Sequence, residues 1–182
     1  QYEGAMSVID IAKDISEGLA RMACAGELNG EVVDLRTVVS EDAQLNIFTF
    51  NDEAGKAAYR HTTSHVLAQA VKRLHPEAKL AIGPSIDTGF YYDFDCPSFD
   101  RAALDALEAE MKKIIKEGAE LERFTLPRAE AIKLMEERDE PYKVQLILDL
   151  PEDAELSFYR QGDFVDLCAG PHLMSTKNIK AI

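Results

Sequence analysis

Tryptophan is absent from this chain, and cysteine and histidine are scarce, at three and four in 182 residues. Without Trp, the core must rest on eight Phe, six Tyr and the aliphatic side chains. No apolar run approaches the roughly 20 residues that a membrane-spanning helix needs. Nor does any stretch have the pattern of a secretory signal. Cys24, Cys96 and Cys168 are odd in number and far apart. That argues against a disulfide framework and for free thiols in a reducing, cytoplasmic setting. Basic residues are also short: 20 against 33 acids, for a net charge of −13. The deficit is uneven, since residues 1–52 hold ten acids and only three bases. Such a surface repels a phosphate backbone, so a nucleic-acid partner would need a local basic patch or another domain. The first residue is Gln1, not Met, and Ala181-Ile182 closes nothing, so the expectation is a piece of a longer protein. Repeats and low-complexity tracts are missing too.

What is present is ordinary globular composition, 46% hydrophobic and 29% charged, enough for one medium domain or two small ones. Residues 5–19 predict an amphipathic helix with Ser7 as N-cap, Asp10 three positions on, and Gly18 as its stop. Residues 23–35 predict a hairpin about Asn29-Gly30, because both residues tolerate φ > 0. A strand follows at 45–50. These pieces make a small α+β unit over residues 1–52.

A long helix is expected over 53–75, stopped by Pro76. Taking His61 as the zero of a helical wheel, Val66, Leu67, Ala70, Val71 and Leu74 fall between about 140° and 280°, and His65 at about 40°. Both histidines therefore point away from the apolar stripe, toward solvent or a cleft. Further on, a Gly-Pro turn precedes an aromatic strand from Phe90 to Phe94. A helix over 99–117 is expected to bury Leu104, Leu107, Met111, Ile114 and Ile115. Residues 120–126 read as a strand. Pro127 opens a helix that Pro141 breaks, 142–150 leans helical, and 155–168 reads as two strands about Gln161-Gly162-Asp163.

The chemistry concentrates in two stretches. Arg60-His61-Thr62-Thr63-Ser64-His65 and Asp166-Leu167-Cys168-Ala169-Gly170-Pro171-His172 hold three of the four histidines and one cysteine. His at i and i+4 brings two imidazoles toward one point. Cys168 and His172 repeat that spacing and complete a set of three nitrogens and one sulfur, suited by ligand type to tetrahedral zinc. An HxxxH pair alone is weak, since such pairs are frequent on solvated helices, and a lone Cys is most often a small buried hydrophobe. Gly170-Pro171 argues for a fixed turn presenting His172.

The stretch HTTSHVLAQAVKRLHPEAKLAIGPSIDTGFYYDFD resembles the start of the second N-terminal domain of bacterial threonyl-tRNA synthetases, and DFVDLCAGPH resembles its end. Residues 1–52 resemble the small ubiquitin-like TGS (β-grasp) domain that stands before it in those enzymes. Alanyl-tRNA synthetases share the paired motifs, but they carry Thr where Pro171 stands and have no TGS unit ahead. The resemblance implies an α+β fold. A TGS-like unit, expected to be truncated before Gln1, is followed over 53–182 by a mixed α/β editing domain whose His-bearing helix lies over an antiparallel sheet.

The implied function is proofreading, hydrolysis of the seryl ester on threonine tRNA. A synthetic pocket rejects an analogue smaller by one methyl only weakly, so a second pocket must remove it. Position by position, the resemblance assigns His61, His65, Lys143, Asp166, Cys168 and His172 to the reaction. His61 would take a proton from water, and Lys143 would stabilise negative charge or orient the water. Asp166 would hold the substrate α-ammonium, and Cys168 and His172 would position water. Tyr92 and Gly83 would line the substrate pocket. The resemblance favours no metal. Zinc on His61, His65, Cys168 and His172 remains open, as do a structural zinc module, a binding module without chemistry and an alanyl-type editing protein. No ATP-binding motif of a class II synthetase core occurs here, so ATP and zinc belong with the parent's core. The implied partners are the tRNA acceptor end and the rest of the parent, a homodimer.

Overall fold

The computed structural model describes residues 2–182. The first unit opens with a short strand β1 (Met6–Ser7) and two helices, α1 (Val8–Ile15) and α2 (Glu17–Met22). The single helix expected over 5–19 is therefore two. Ser7 caps α1 by accepting from the Asp10 backbone N–H at 3.2 Å. Ser16 then leaves the helical region (φ −170°) and caps α2 by accepting from Gly18 and Leu19. Gly18 thus lies in the first turn of the second helix and stops nothing. A second capping serine, with its hydroxyl free to reach the next turn, lets the chain turn there.

The expected hairpin joins β2 (Ala23–Leu28) to β3 (Glu31–Val33), with φ 51° at Asn29 and 89° at Gly30. The short β4 (Val38–Val39) pairs with β1, and β5 (Leu45–Thr49) pairs with β2, giving the order β3-β2-β5, all antiparallel. Val8, Ile9, Ala12, Ala20, Ala23 and Leu35 form the core of this unit.

Helix α3 (Glu53–Leu74) is the axis of the rest. Val66, Ala70 and Val71 pack against Leu107, Met111 and Ile114 of α4 (Arg101–Glu117), and the same cluster takes in Cys24 and Ala25 of β2. The first unit and the rest therefore share a core. Asp100 caps α4 and Gly118 ends it in the left-handed region. Leu104, expected in the buried face, is 51% exposed. It shares the face of Leu107 and Met111 but lies in the first turn of α4, ahead of the residues that pack on α3.

Between α3 and α4 the chain makes only two-residue strands: β6 (Lys79–Leu80), β7 (Ser85–Ile86), β8 (Gly89–Phe90) and β9 (Phe94–Asp95). The aromatic strand expected from Phe90 to Phe94 is broken, because β8 pairs back on β7 while β9 pairs with β6. The second main sheet has the order β10-β11-β12 (Leu121–Thr125, Ser157–Gln161, Phe164–Leu167), antiparallel as expected. Helices α5 (Arg128–Glu137) and α6 (Pro141–Asp149) lie between β10 and β11 in sequence. Pro141 does not break α5, which has already ended. It opens α6 from the first turn, where a missing N–H costs nothing.

Candidate functional site

Helix α3 carries three hydroxyl residues in succession, Thr62, Thr63 and Ser64, all buried. Each returns its hydroxyl to the helix backbone: Thr62 to Ala58 O at 2.9 Å, Thr63 to Tyr59 O at 2.8 Å, Ser64 to His61 O at 2.7 Å. Buried hydroxyls are tolerated mid-helix because their donors are satisfied locally. Ser64 Oγ also lies 2.7 Å from Gly83 O, so its single proton is shared between the two carbonyls and links the Gly83 loop to the helix. The wheel expectation holds in part. His61 is half-buried beside a cleft, whereas His65 is only 2% exposed, because β12 covers that side through Phe164.

Strand β12 and the loop after it bring the second motif onto α3. Cys168 Sγ lies 3.3 Å from His61 Nε2 and 3.2 Å from His172 Nε2. The ring centroids of His61 and His172, and of His65 and His172, are 4.3 Å apart. One ligand atom from each of His61, His65, Cys168 and His172 falls within 4.8 Å of the other three. The backbone also fixes Cys168: its N–H donates to Ser157 O at 3.0 Å, and its carbonyl accepts from Ser157 Oγ at 2.7 Å. The Gly170–Pro171 peptide is cis, with Gly170 at φ 77°.

Lys143, on α6, reaches in from the other side. Its Nζ is 2.8 Å from Asp166 Oδ1, a close ion pair with both side chains under 5% exposed. Asp166 Oδ2 accepts from Tyr92 Oη at 2.6 Å. His65 Nε2 is 3.5 Å from the same oxygen, too far for a hydrogen bond, and His65 Nδ1 is buried without a protein partner.

Electrostatics follow from this burial. Desolvation pushes His65 down to about 3 and holds His61 and His172 below the ordinary histidine value, against the opposing pull of Asp166 on His61 and His65. All three imidazoles are neutral at pH 7 and can accept a proton. Burial acts on Asp166 in the opposite sense, but Lys143, His65 and the Tyr92 hydrogen bond outweigh it, so the carboxyl stays ionised. Burial, reinforced by Asp166, pushes the Cys168 thiol up to about 12. It is a protonated thiol here, a weak nucleophile but a hydrogen-bond partner.

A cavity of about 430 Å³ opens over the cluster, lined by His61, His65, Gly83, Lys143, Asp166 and Cys168, with Ile82, Pro84 and Leu146 among the apolar part of its wall. Two expected residues stand behind this wall. His172 is fully buried beneath Cys168, and Tyr92 sits behind Gly83, where it holds Asp166 and stacks on Phe94. The paired motifs, Lys143, Gly83 and Tyr92 are thus brought together.

Sequence reading passed over Thr62, Ser64, Tyr159, Asp34 and Arg36. The run of three hydroxyls inside a helix was a usable signal, because Ser and Thr are poor interior helix formers unless tied back. Asp34 and Arg36 left none. They follow β3 in the first unit, yet Arg36 donates to Leu121 O, His172 O and Leu173 O, while Asp34 accepts from Tyr159 Oη and the His172 N–H.

The cluster also fits a metal by donor type. Three neutral imidazoles and one thiol are a zinc set, and the unpartnered His65 Nδ1 leaves an acceptor free. His61, His65, Cys168 as a thiolate and His172 would hold such an ion and brace the site; it would lower the pKa of a bound water only where one of the four left its position open.

Comparison with known proteins gives the class. Residues 2–49 match the model of the TGS domain, and residues 156–182 match that of the threonyl and alanyl tRNA synthetase second additional domain. The chain joins a TGS domain to an editing-type domain. Over its whole length it is similar to the N-terminal part of bacterial threonine–tRNA ligases. It is 63% identical over 182 residues to that of Acetivibrio thermocellus and covers 29% of that protein. It is 62% identical to that of Clostridium perfringens strain SM101, covering 28%, and 58% identical to that of Clostridioides difficile strain 630, covering 29%. The chain spans under a third of the length of these relatives. Among the described residues, no helix is long and apolar enough to cross a membrane.

Proposed function

We propose that this chain is the proofreading part of a threonyl-tRNA synthetase and hydrolyses the seryl ester on threonine tRNA. The observation that carries the reading is the convergence of His61, Lys143, Asp166 and Cys168 on one cavity of a size to take an aminoacyl group. The domains divide at about residue 52, where β5 gives way to α3. The parent would join threonine to tRNA with ATP through a core absent here, as a cytoplasmic homodimer.

His61, neutral and half-buried, takes a proton from water as the oxygen attacks the ester carbonyl carbon. Lys143 stabilises the negative charge that develops on the carbonyl oxygen. The bond from that carbon to the ribose oxygen then breaks, the proton passes from His61 to that oxygen to give the ribose hydroxyl, and free serine leaves. Asp166, held ionised, attracts the α-ammonium. Cys168, a thiol between two imidazoles, positions the water, and the buried His172 acts on it only through Cys168. Gly83, and Tyr92 behind it, form the wall that a larger side chain would meet.

No metal is required in this mechanism, since Cys168 already sits at hydrogen-bond distance from two ring nitrogens. Metal analysis of protein purified without added zinc, with deacylation measured before and after chelation, decides the point. Tightly bound stoichiometric zinc whose removal abolishes turnover would overturn the metal-free mechanism. The function itself is tested with charged tRNA. Serine should be released from threonine tRNA while threonine is retained, and His61→Ala should abolish release. Equal release by that variant sinks the reading.

A further inference from the structure

Thr62 Oγ1 sits among three polar neighbours: Ala58 O at 2.9 Å, Leu173 N at 3.0 Å and His172 Nδ1 at 3.0 Å. Thr62 and His172 are both fully buried, so no water enters the accounting. A hydroxyl has one proton to give and two lone pairs to fill. The Leu173 N–H can only donate and the Ala58 carbonyl can only accept. The hydroxyl proton therefore goes to Ala58, since two oxygens at 2.9 Å with no hydrogen between them repel. His172 must then bring its own proton to Thr62 on Nδ1.

We infer that Thr62 is a positioning residue that fixes the tautomer of His172, with the proton on Nδ1 and a lone pair on Nε2, and so sets the direction of the hydrogen-bond chain through Cys168 to His61. The Nε2 lone pair accepts the Cys168 S–H at 3.2 Å. Cys168 Sγ in turn accepts from Gly170 N–H and from His61 Nε2, both at 3.3 Å. With its proton on Nε2, His61 keeps the Nδ1 lone pair for the substrate water. The consequence for catalysis rests on the deacylation reading; the tautomer does not. No chemical step changes Thr62, whose work is orientation of a buried ring.

The test is a long-range ¹H–¹⁵N correlation spectrum of protein labelled in its histidine rings, with deacylation kinetics on the same samples. In the unsubstituted protein His172 should show a protonated Nδ1 and an unprotonated Nε2. Thr62→Ser keeps the hydroxyl and should keep that pattern, with kcat within about twofold. Thr62→Val should move the proton toward Nε2 and lower kcat about tenfold with KM little changed. A His172 protonated on Nε2 in the unsubstituted protein overturns the inference, as does a Thr62→Val protein with unchanged tautomer and kcat. If Thr62→Val does not fold, the unsubstituted spectrum and Thr62→Ser still decide. The expected tautomer without any deacylation supports the assignment and sinks the hydrolase reading.

Discussion

Asp34 Oδ2 accepts the backbone N–H of His172 at 3.1 Å, across 138 positions of sequence. The same oxygen accepts from Tyr159 Oη at 2.7 Å, and the other holds Arg36 at 2.9 Å. A side chain of the first unit thus fixes the loop that presents His172. Asp34→Ala strips a charged acceptor from two buried donors. The expected cost is about 1–3 kcal/mol in urea unfolding, with a parallel fall in deacylation. An unchanged midpoint and unchanged turnover would remove the clamp from the account.

Lys143 and Asp166 form a pair with almost no exposure. Removing one partner leaves a buried charge, which costs more than the pair contributes. Lys143→Met should therefore destabilise the protein by about 3–5 kcal/mol. Adding Asp166→Asn should restore much of that stability and none of the activity. Paired denaturation curves check this, and a double variant no more stable than the single one counts against the buried ion pair.

Stability should fall on mild acidification. His65 takes its proton near 3 when folded and near 6.5 when unfolded. Between these values the unfolded chain binds more protons, so stability is full above about pH 6.5 and drains as pH falls toward 3. At pH 5 the loss from His65 alone is about 2 kcal/mol. His61 and His172, also lowered, act in the same direction. Urea midpoints at pH 7 and pH 5 measure the effect, and equal midpoints would contradict the neutral buried cluster.

Gly83 lies so close to Tyr92 that a Cβ there would come within 2.0 Å of the ring's Cδ2. Gly83→Ala must displace the loop that lines the cavity or the tyrosine that holds Asp166. We expect kcat/KM for the seryl ester to drop about tenfold or more, since a displacement on the order of 1 Å is enough. A normal kcat/KM would show that the wall does not shape the substrate.

Much of this protein was legible in its residues because the signals are local. The Asn29-Gly30 turn, the Asp100 to Gly118 span of α4 and the strands about Gly162 follow from backbone preferences. The errors are instructive for the same reason. Ser16 was hidden because a good capping residue can end one helix and start the next, and the Phe90–Phe94 break depends on which neighbour each end pairs with.

By itself, the sequence determined the ligand types, their paired spacing and the long helix that carries half of them. Resemblance added Lys143 and Asp166. Only tertiary structure decided that His65 and His172 are neutral, that Cys168 is a thiol, and that Asp34, Arg36 and Thr62 hold the site. Those facts depend on burial and on contacts between segments up to 138 positions apart, which no local pattern encodes.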